Sequence, residues 1–208
     1  MYSGITRGLF PVVEVTPGDG VTHLSVELSH ALATDVQPGA SIAIDGVCLT
    51  VVAFSGARVS FDAIAETLSR TTLGELRVGR KVSVERSCRV GDELGGHDVF
   101  GHVIGTASVL ARKRVGEQLD LTLGVPQAWM KYLLPKGFVA LDGSSLTIGD
   151  PVSAQSFDVH LIPESLRLTN FEHKQVGDRV NVELDPRTVA IVDTVERVLR
   201  ERDAHGGA

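Results

Sequence analysis

The sequence predicts an all-β protein: two tandem, homologous, six-stranded antiparallel (Greek-key) β-barrels followed by a C-terminal α-helix. Three observations lead there. The chain repeats itself at an offset of 97 to 98 residues, each half breaks into short β-branched stretches without helical crossovers, and one late stretch has a helical period.

The repeat is dense. Pro38 to Thr50 (PGASIAIDGVCLT) falls on Pro135 to Thr147 (PKGFVALDGSSLT) at offset 97. At offset 98, Phe61 to Glu85 falls on Val159 to Glu183 with nine identities in 25 positions. Ser3 to Gly8 matches Phe100 to Gly105, so the repeat reaches the N-terminus. Two long copies indicate a tandem domain duplication, because a solenoid needs three or more short units to bury a continuous core. The expected units are 1–97, 98–188 and a helix at 189–203.

In the first half, His23 to Leu28, Ala40 to Ile44, Leu49 to Phe54, Arg58 to Ala63 and Lys81 to Glu85 read as strands between turn signals, five or six per half. Strands so short and numerous suit a closed barrel, which also removes exposed sheet edges. Ser29 to Val36 and Pro126 to Leu134 read as one short helix per barrel, with Pro126 at a first helical position. Asp185 to Arg202 places Val189, Val192, Val195 and Leu199 on one helical stripe and has no partner in the first half. That stripe must bury itself on its own barrel or on another subunit.

Composition narrows the function. Hydrophobic content of 43% and charged content of 22% are those of an ordinary folded protein. A formal net charge of -6 argues against nucleic acid as a partner. No apolar run reaches the ~20 residues of a membrane span, and the N-terminus has no basic leader and apolar core, so a cytoplasmic protein is expected. Cys48 and Cys88 are then expected as free thiols.

Several stretches invite chemistry. Val90 to His97 is glycine-rich but lacks the Lys-Ser/Thr ending of a phosphate loop and reads as a linker between the halves. His97 and His102 have no accompanying Cys or acid cluster, so no metal is expected. His102 replaces the apolar Ile5 of the first copy, which suits either a catalytic base or a hydrogen-bonded structural histidine. Cys48 stands opposite Ser145, an exchange that suggests two related pockets with different tasks. Ala65-Glu66-Thr67-Leu68 matches Pro163-Glu164-Ser165-Leu166, polar residues expected at a strand end.

The motifs Met-Tyr-Ser-Gly-Ile, Asp-Gly-x-Cys-Leu-Thr, Gly-Gly-His-x-x-x-Gly-His, Asp-Gly-x-Ser-Leu-Thr-Ile, His-Leu-Ile-Pro-Glu and Asn-Val-Glu-Leu-Asp-Pro occur in this order. Together they resemble the riboflavin synthase family over essentially the whole chain. The resemblance implies a homotrimer that converts two molecules of 6,7-dimethyl-8-ribityllumazine into riboflavin and 5-amino-6-ribitylaminouracil by transfer of a four-carbon unit, with no cofactor or metal. It also implies that facing pockets come from different subunits held by the C-terminal helix.

Carried over by motif, the first pocket comprises Gly4, Ile5 and Thr6, then Cys48, Leu49 and Thr50, then Asp62, Ala63, Ile64, Ala65, Glu66 and Thr67, with Ser41 beside them. The second comprises Gly101, His102 and Val103, then Ser145, Leu146 and Thr147, then His160, Leu161, Ile162, Pro163, Glu164 and Ser165. Lys136 resembles a residue reaching across from the partner. The resemblance makes His102 the base and Cys48 the nucleophile, with Ser145 and Asp185 orienting or shuttling protons. Tyr2 and Ile104 depart from it, standing where the family usually has Phe and often has Asp. The competing expectation is a non-catalytic lumazine- or flavin-binding antenna protein on the same duplicated fold.

Overall fold

The computed structural model of the chain describes residues 1–205. The first barrel is built from β1 (Leu9–Pro17), β2 (Val21–Glu27), β3 (Ser41–Ile44), β4 (Val47–Ser55), β5 (Arg58–Ile64) and β6 (Lys81–Arg86). It closes in the order β1-β2-β5-β4-β3-β6. The second uses β7 (Gly105–Val115), β8 (Gln118–Gly124), β9 (Phe138–Leu141), β10 (Ser144–Ser153), β11 (Ser156–Leu161) and β12 (Arg179–Leu184), in the same cyclic order, and all pairings are antiparallel. Alternate residues point inward, so Leu24, Val26, Val59 and Phe61 fill one barrel and Leu119, Leu121, Leu123 and Phe157 the other.

The sixth strand of each half, β1 or β7, is the one the sequence shows least clearly. In β1 the side chains are half-buried on both faces and two prolines interrupt the alternation.

The helices differ from expectation. Only His30–Ala33 (α1) of the stretch Ser29 to Val36 is helical, capped by the Ser29 hydroxyl accepting from Leu32 N at 3.2 Å and followed by Asp35 at φ 58°. The Pro126 to Leu134 stretch is a 3₁₀ turn at Gln127–Tyr132, with Trp129 wedged against Gly105, where a Cβ would lie 2.7 Å from the indole. The tetrapeptides read as strand ends instead begin helices, α2 (Ala65–Arg70) and α3 (Pro163–Leu168). Each ends where a threonine donates its hydroxyl one turn back, Thr71 to Thr67 O and Thr169 to Ser165 O, and each leads into a 3₁₀ turn, Thr72–Glu75 or Asn170–His173.

The C-terminal helix α4 spans Pro186–His205. Val189 packs on the second barrel's core, and Lys131 and Tyr132 bind Asp193 at 3.0 and 2.6 Å. Ile191, Val195, Val198 and Leu199 are left exposed, so half of the predicted stripe turns inward and half outward. No helix among the described residues is long and apolar enough to cross a membrane.

The two barrels meet through equivalent Asp-Gly turns. A Cβ on Gly46 would lie 2.4 Å from Gly143 N, and both glycines hold positive φ, so nothing larger fits. Asp45 and Asp142 beside them are fully buried. Asp45 Oδ1 accepts from Ser83 N at 2.7 Å and from Asn170 Nδ2 at 3.1 Å. Asp142 Oδ2 accepts from Asn170 Nδ2 at 2.8 Å and pairs with Lys174 Nζ at 2.9 Å. Asn181 Nδ2 donates to Asp45 O at 2.7 Å, and Asn181 Oδ1 accepts from Thr72 N at 2.8 Å. One ammonium thus faces two carboxyls. Burial, and then the charge of Asp142, push the Asp45 carboxyl up, so that it keeps its proton more firmly than an exposed aspartate.

Asp142→Ala removes the carboxylate paired with the buried Lys174 ammonium and should lower the unfolding free energy by about 3–5 kcal/mol in urea denaturation. The unfolded chain releases the Asp45 proton near the ordinary value of ~3.9 while the native state keeps it, so stability falls as pH rises above that range. Asp45→Asn cannot ionise and should flatten that decline; parallel stability curves for variant and wild type would refute a proton on Asp45.

Candidate active site

Two straps carry the site. Ser3–Thr6 precedes β1 and Phe100–Val103 precedes β7, each tied to a buried glutamate on the last strand of its own barrel. Glu85 Oε1 accepts from Ser3 N at 2.7 Å and Ser3 Oγ at 2.8 Å. Glu183 accepts from the backbone N–H groups of Phe100, Gly101 and His102 at 2.7, 2.8 and 3.1 Å. Burial pushes both carboxyls up and these hydrogen bonds oppose it. Neither glutamate was among the expected site residues, although they coincide across the repeat.

Each strap then crosses to the other barrel, which corrects the expected grouping. Gly4 (φ 71°) lies on the second barrel's Ser145, whose N–H donates to Gly4 O at 2.8 Å, and the Thr6 and Ser144 hydroxyls meet at 2.9 Å. Gly101 (φ 76°) lies on the first barrel's Cys48, whose N–H donates to Gly101 O at 3.1 Å. A Cβ on Gly4 would come within 2.6 Å of the Ser145 Cβ, and one on Gly101 within 2.5 Å of the Cys48 Cβ. Gly4–Thr6 therefore belongs with Ser145, and Gly101–Val103 with Cys48. The offset aligns each strap with its own copy; the back-to-back turns deliver it to the neighbour.

The result is one cavity of about 190 Å³ whose lining includes Cys48, Glu66, Thr67, Gly101, His102 and Val103. The proposed nucleophile and base thus share a site although they come from different halves. Thr50 pairs with Ser41 across β4 and β3, and Asp62–Ile64 end β5 just before α2. Tyr2 is buried, its backbone bridges to Val99, and its hydroxyl donates to Cys48 Sγ at 3.1 Å. Burial and the neighbouring thiol push the Tyr2 phenol up, so it remains a donor. The other thiol, Cys88, is pushed up by burial and then by the charges of Glu85 and Asp92, which favours its protonated form.

Around Ser145 a different set gathers. Its hydroxyl lies 2.6 Å from His97 Nδ1, and the imidazole stacks on Phe138 with ring centroids 5.0 Å apart. Burial pulls the His97 pKa down, so the ring is neutral near pH 7, and its Nε2 is buried without a partner. His97 was read as the end of a linker. Its signal was the preceding Gly95-Gly96: a Cβ on Gly96 would lie 2.2 Å from Ser3 O and 2.7 Å from the Ser145 Cβ. Asp185 accepts from Thr188 N at 3.0 Å and Thr188 Oγ1 at 2.6 Å, capping α4, and reaches His97 only by its charge. Lys136 occupies a left-handed turn (φ 64°), and its side chain has no hydrogen bond or ion pair among the described residues.

Each barrel also carries a cross-strand His–Asp pair. His23 Nδ1 lies 2.6 Å from Asp62 Oδ1 in the first barrel, and His160 Nδ1 lies 2.7 Å from Asp120 Oδ1 in the second. Asp62 aligns with His160 and His23 with Asp120, so the pair is kept with its members exchanged. Ile64, at the end of β5, is 52% exposed, and Ile162, between β11 and α3, is 59% exposed.

Known proteins resemble this chain over nearly its whole length. The lumazine binding domain family matches residues 3–87 and 100–185. Riboflavin synthase of Escherichia coli (strain K12) is 43% identical over 204 residues, covering 98% of this chain and 95% of that protein. Riboflavin synthase of Chlamydia pneumoniae is 40% identical over 200 residues, covering 96% and 97%. The crystal structure of LumP complexed with riboflavin superposes with a TM-score of 0.82 at 25% identity, covering 89% of this chain and 100% of that one. The chain therefore belongs to the riboflavin synthase family, with two lumazine-binding domains in tandem on one polypeptide.

Proposed function

We propose that the chain is a cytoplasmic enzyme that converts two molecules of 6,7-dimethyl-8-ribityllumazine into riboflavin and 5-amino-6-ribitylaminouracil. The observation that carries this reading is the convergence of Cys48 and His102, from different barrels, on one cavity. His102 takes a proton from the acidic 7-methyl group of one lumazine, and Cys48 adds to the ring of the other and later leaves. One molecule gives up four carbons and its twin accepts them, so the exchange balances without an external oxidant or reductant. The uncharged hydroxyls and backbone groups of Thr50, Thr67, Ser145 and Thr147 suit a uracil edge and a ribityl chain. The alternative is a non-catalytic lumazine- or flavin-binding protein, in view of the likeness to LumP complexed with riboflavin.

A single chain does not enclose this reaction. The cavity at Cys48, about 190 Å³, is smaller than the ~300–1,000 Å³ of most small-molecule sites. The exposed Ile64 and Ile162 side chains, the Lys136 side chain with no partner among the described residues and the outward face of α4 support a homotrimer in which the Cys48 pocket of one subunit faces the Ser145 pocket of the next.

Incubation with the lumazine should yield riboflavin, followed by its visible absorbance; tight binding without product would instead establish a non-catalytic binding protein. His102→Ala and Cys48→Ser should each slow turnover by about 10²–10⁴-fold with the fold unchanged by circular dichroism. Tyr2→Phe, which removes the donor to Cys48, should alter kcat and its pH profile more than KM; an unchanged profile would make the hydroxyl a packing feature only. Ile191→Glu with Val195→Glu should give monomers in sedimentation and lose activity, whereas active monomers would exclude a shared site.

A further inference from the structure

A cleft of about 540 Å³ opens between the barrels, where residues 72–81 and their repeat counterparts 170–179 face each other. It shares no residue with the Cys48–His102 cavity. Its lining carries Arg77, Arg80 and Lys81 from the first barrel and Lys174 and Arg179 from the second, against only Glu75 and Asp178.

Those two carboxylates are already occupied. Glu75 pairs with Arg179 across the cleft at 3.1 Å and stands 3.9 Å from Arg80. Asp178 Oδ2 accepts from Gln175 N at 2.8 Å. Lys174, at the buried end, is neutralised by Asp142. Among the described residues, Arg77 and Lys81 have no carboxylate within ion-pair distance. A chain of formal net charge -6 thus concentrates unpaired positive charge in a concavity between its two domains. A surface shaped only for solubility would intersperse the two signs.

The shape and the donors select a ligand class. The volume lies within the ~300–1,000 Å³ of small-molecule sites. Guanidinium forks match phosphate oxygens two at a time, and a lysine adds a point charge. We infer that this cleft binds a small phosphate-bearing anion, either a phosphate ester or pyrophosphate, and that the bound anion bridges the two barrels. The inference is independent of the chemistry at Cys48.

Pyrophosphate, ribose 5-phosphate and, at matched ionic strength, sodium sulfate would be titrated into the full chain and into Arg77→Ala/Lys81→Ala, by calorimetry and thermal unfolding. Saturable one-to-one binding of a phosphate compound with a raised Tm is expected, weakened by about tenfold or more in the double variant as charge-assisted bonds are lost. Lumazine binding by the variant should be unchanged. Tighter binding of ribose 5-phosphate would identify an organic ester as the ligand, and tighter binding of pyrophosphate an inorganic one. Equal effects of sulfate, absence of saturation, or undiminished binding by the variant would each overturn the proposal. If the double variant is unstable without ligand, Lys81→Gln, at the exposed start of β6, provides the same comparison.

Discussion

The contact of two glycines, Gly46 against Gly143, sets the geometry of everything else. Because neither turn tolerates a Cβ, the hairpins β3–β4 and β9–β10 stand back to back at van der Waals distance. The aspartates beside them are thereby sealed from water and must find donors inside the protein, which Asn170, Asn181 and Lys174 supply. That network is asymmetric although its frame is a repeat. Leu76 and Thr72 of the first copy correspond to Lys174 and Asn170 of the second. One lysine between two carboxyls fixes the barrels with a proton to spare, and a rigid junction is what lets a strap anchored on one barrel reach the other with ångström accuracy.

The duplication, the barrels and the terminal helix were legible because they are written in periodicity and self-similarity, which hydrophobic burial imposes locally. Cys48 and His102 are departures from that self-similarity, each facing a different residue type in the other copy. The exchange of straps was not legible, since an internal alignment pairs Gly4 with Gly101 and is silent on which barrel each one touches. Glu85 and Glu183 escaped notice because the copies agree there, and agreement inside a duplication looks like scaffold. Here scaffold and site coincide: each carboxylate is buried so that it can hold the backbone of a strap. The helices α2 and α3 were missed because six residues give too little periodicity to outweigh the strand preceding them.

Exchange of the straps also changes what the divergence between copies means. Had each strap stayed home, Cys48 would sit with Ile5, and His102 with Ser145, dividing the reactive groups between the pockets. Crossing puts the thiol and the imidazole together and leaves Ser145 with Ile5. The second pocket has its own imidazole, but from the linker: His97, held neutral by burial and bonded to the Ser145 hydroxyl. A neutral ring on a hydroxyl positions a hydrogen bond, whereas a thiol beside a histidine and a buried tyrosine donor can form and release bonds to carbon. The two pockets therefore offer different groups, a thiol and an imidazole in one and a hydroxyl with a neutral imidazole in the other, and the asymmetry follows from which strap reaches which barrel.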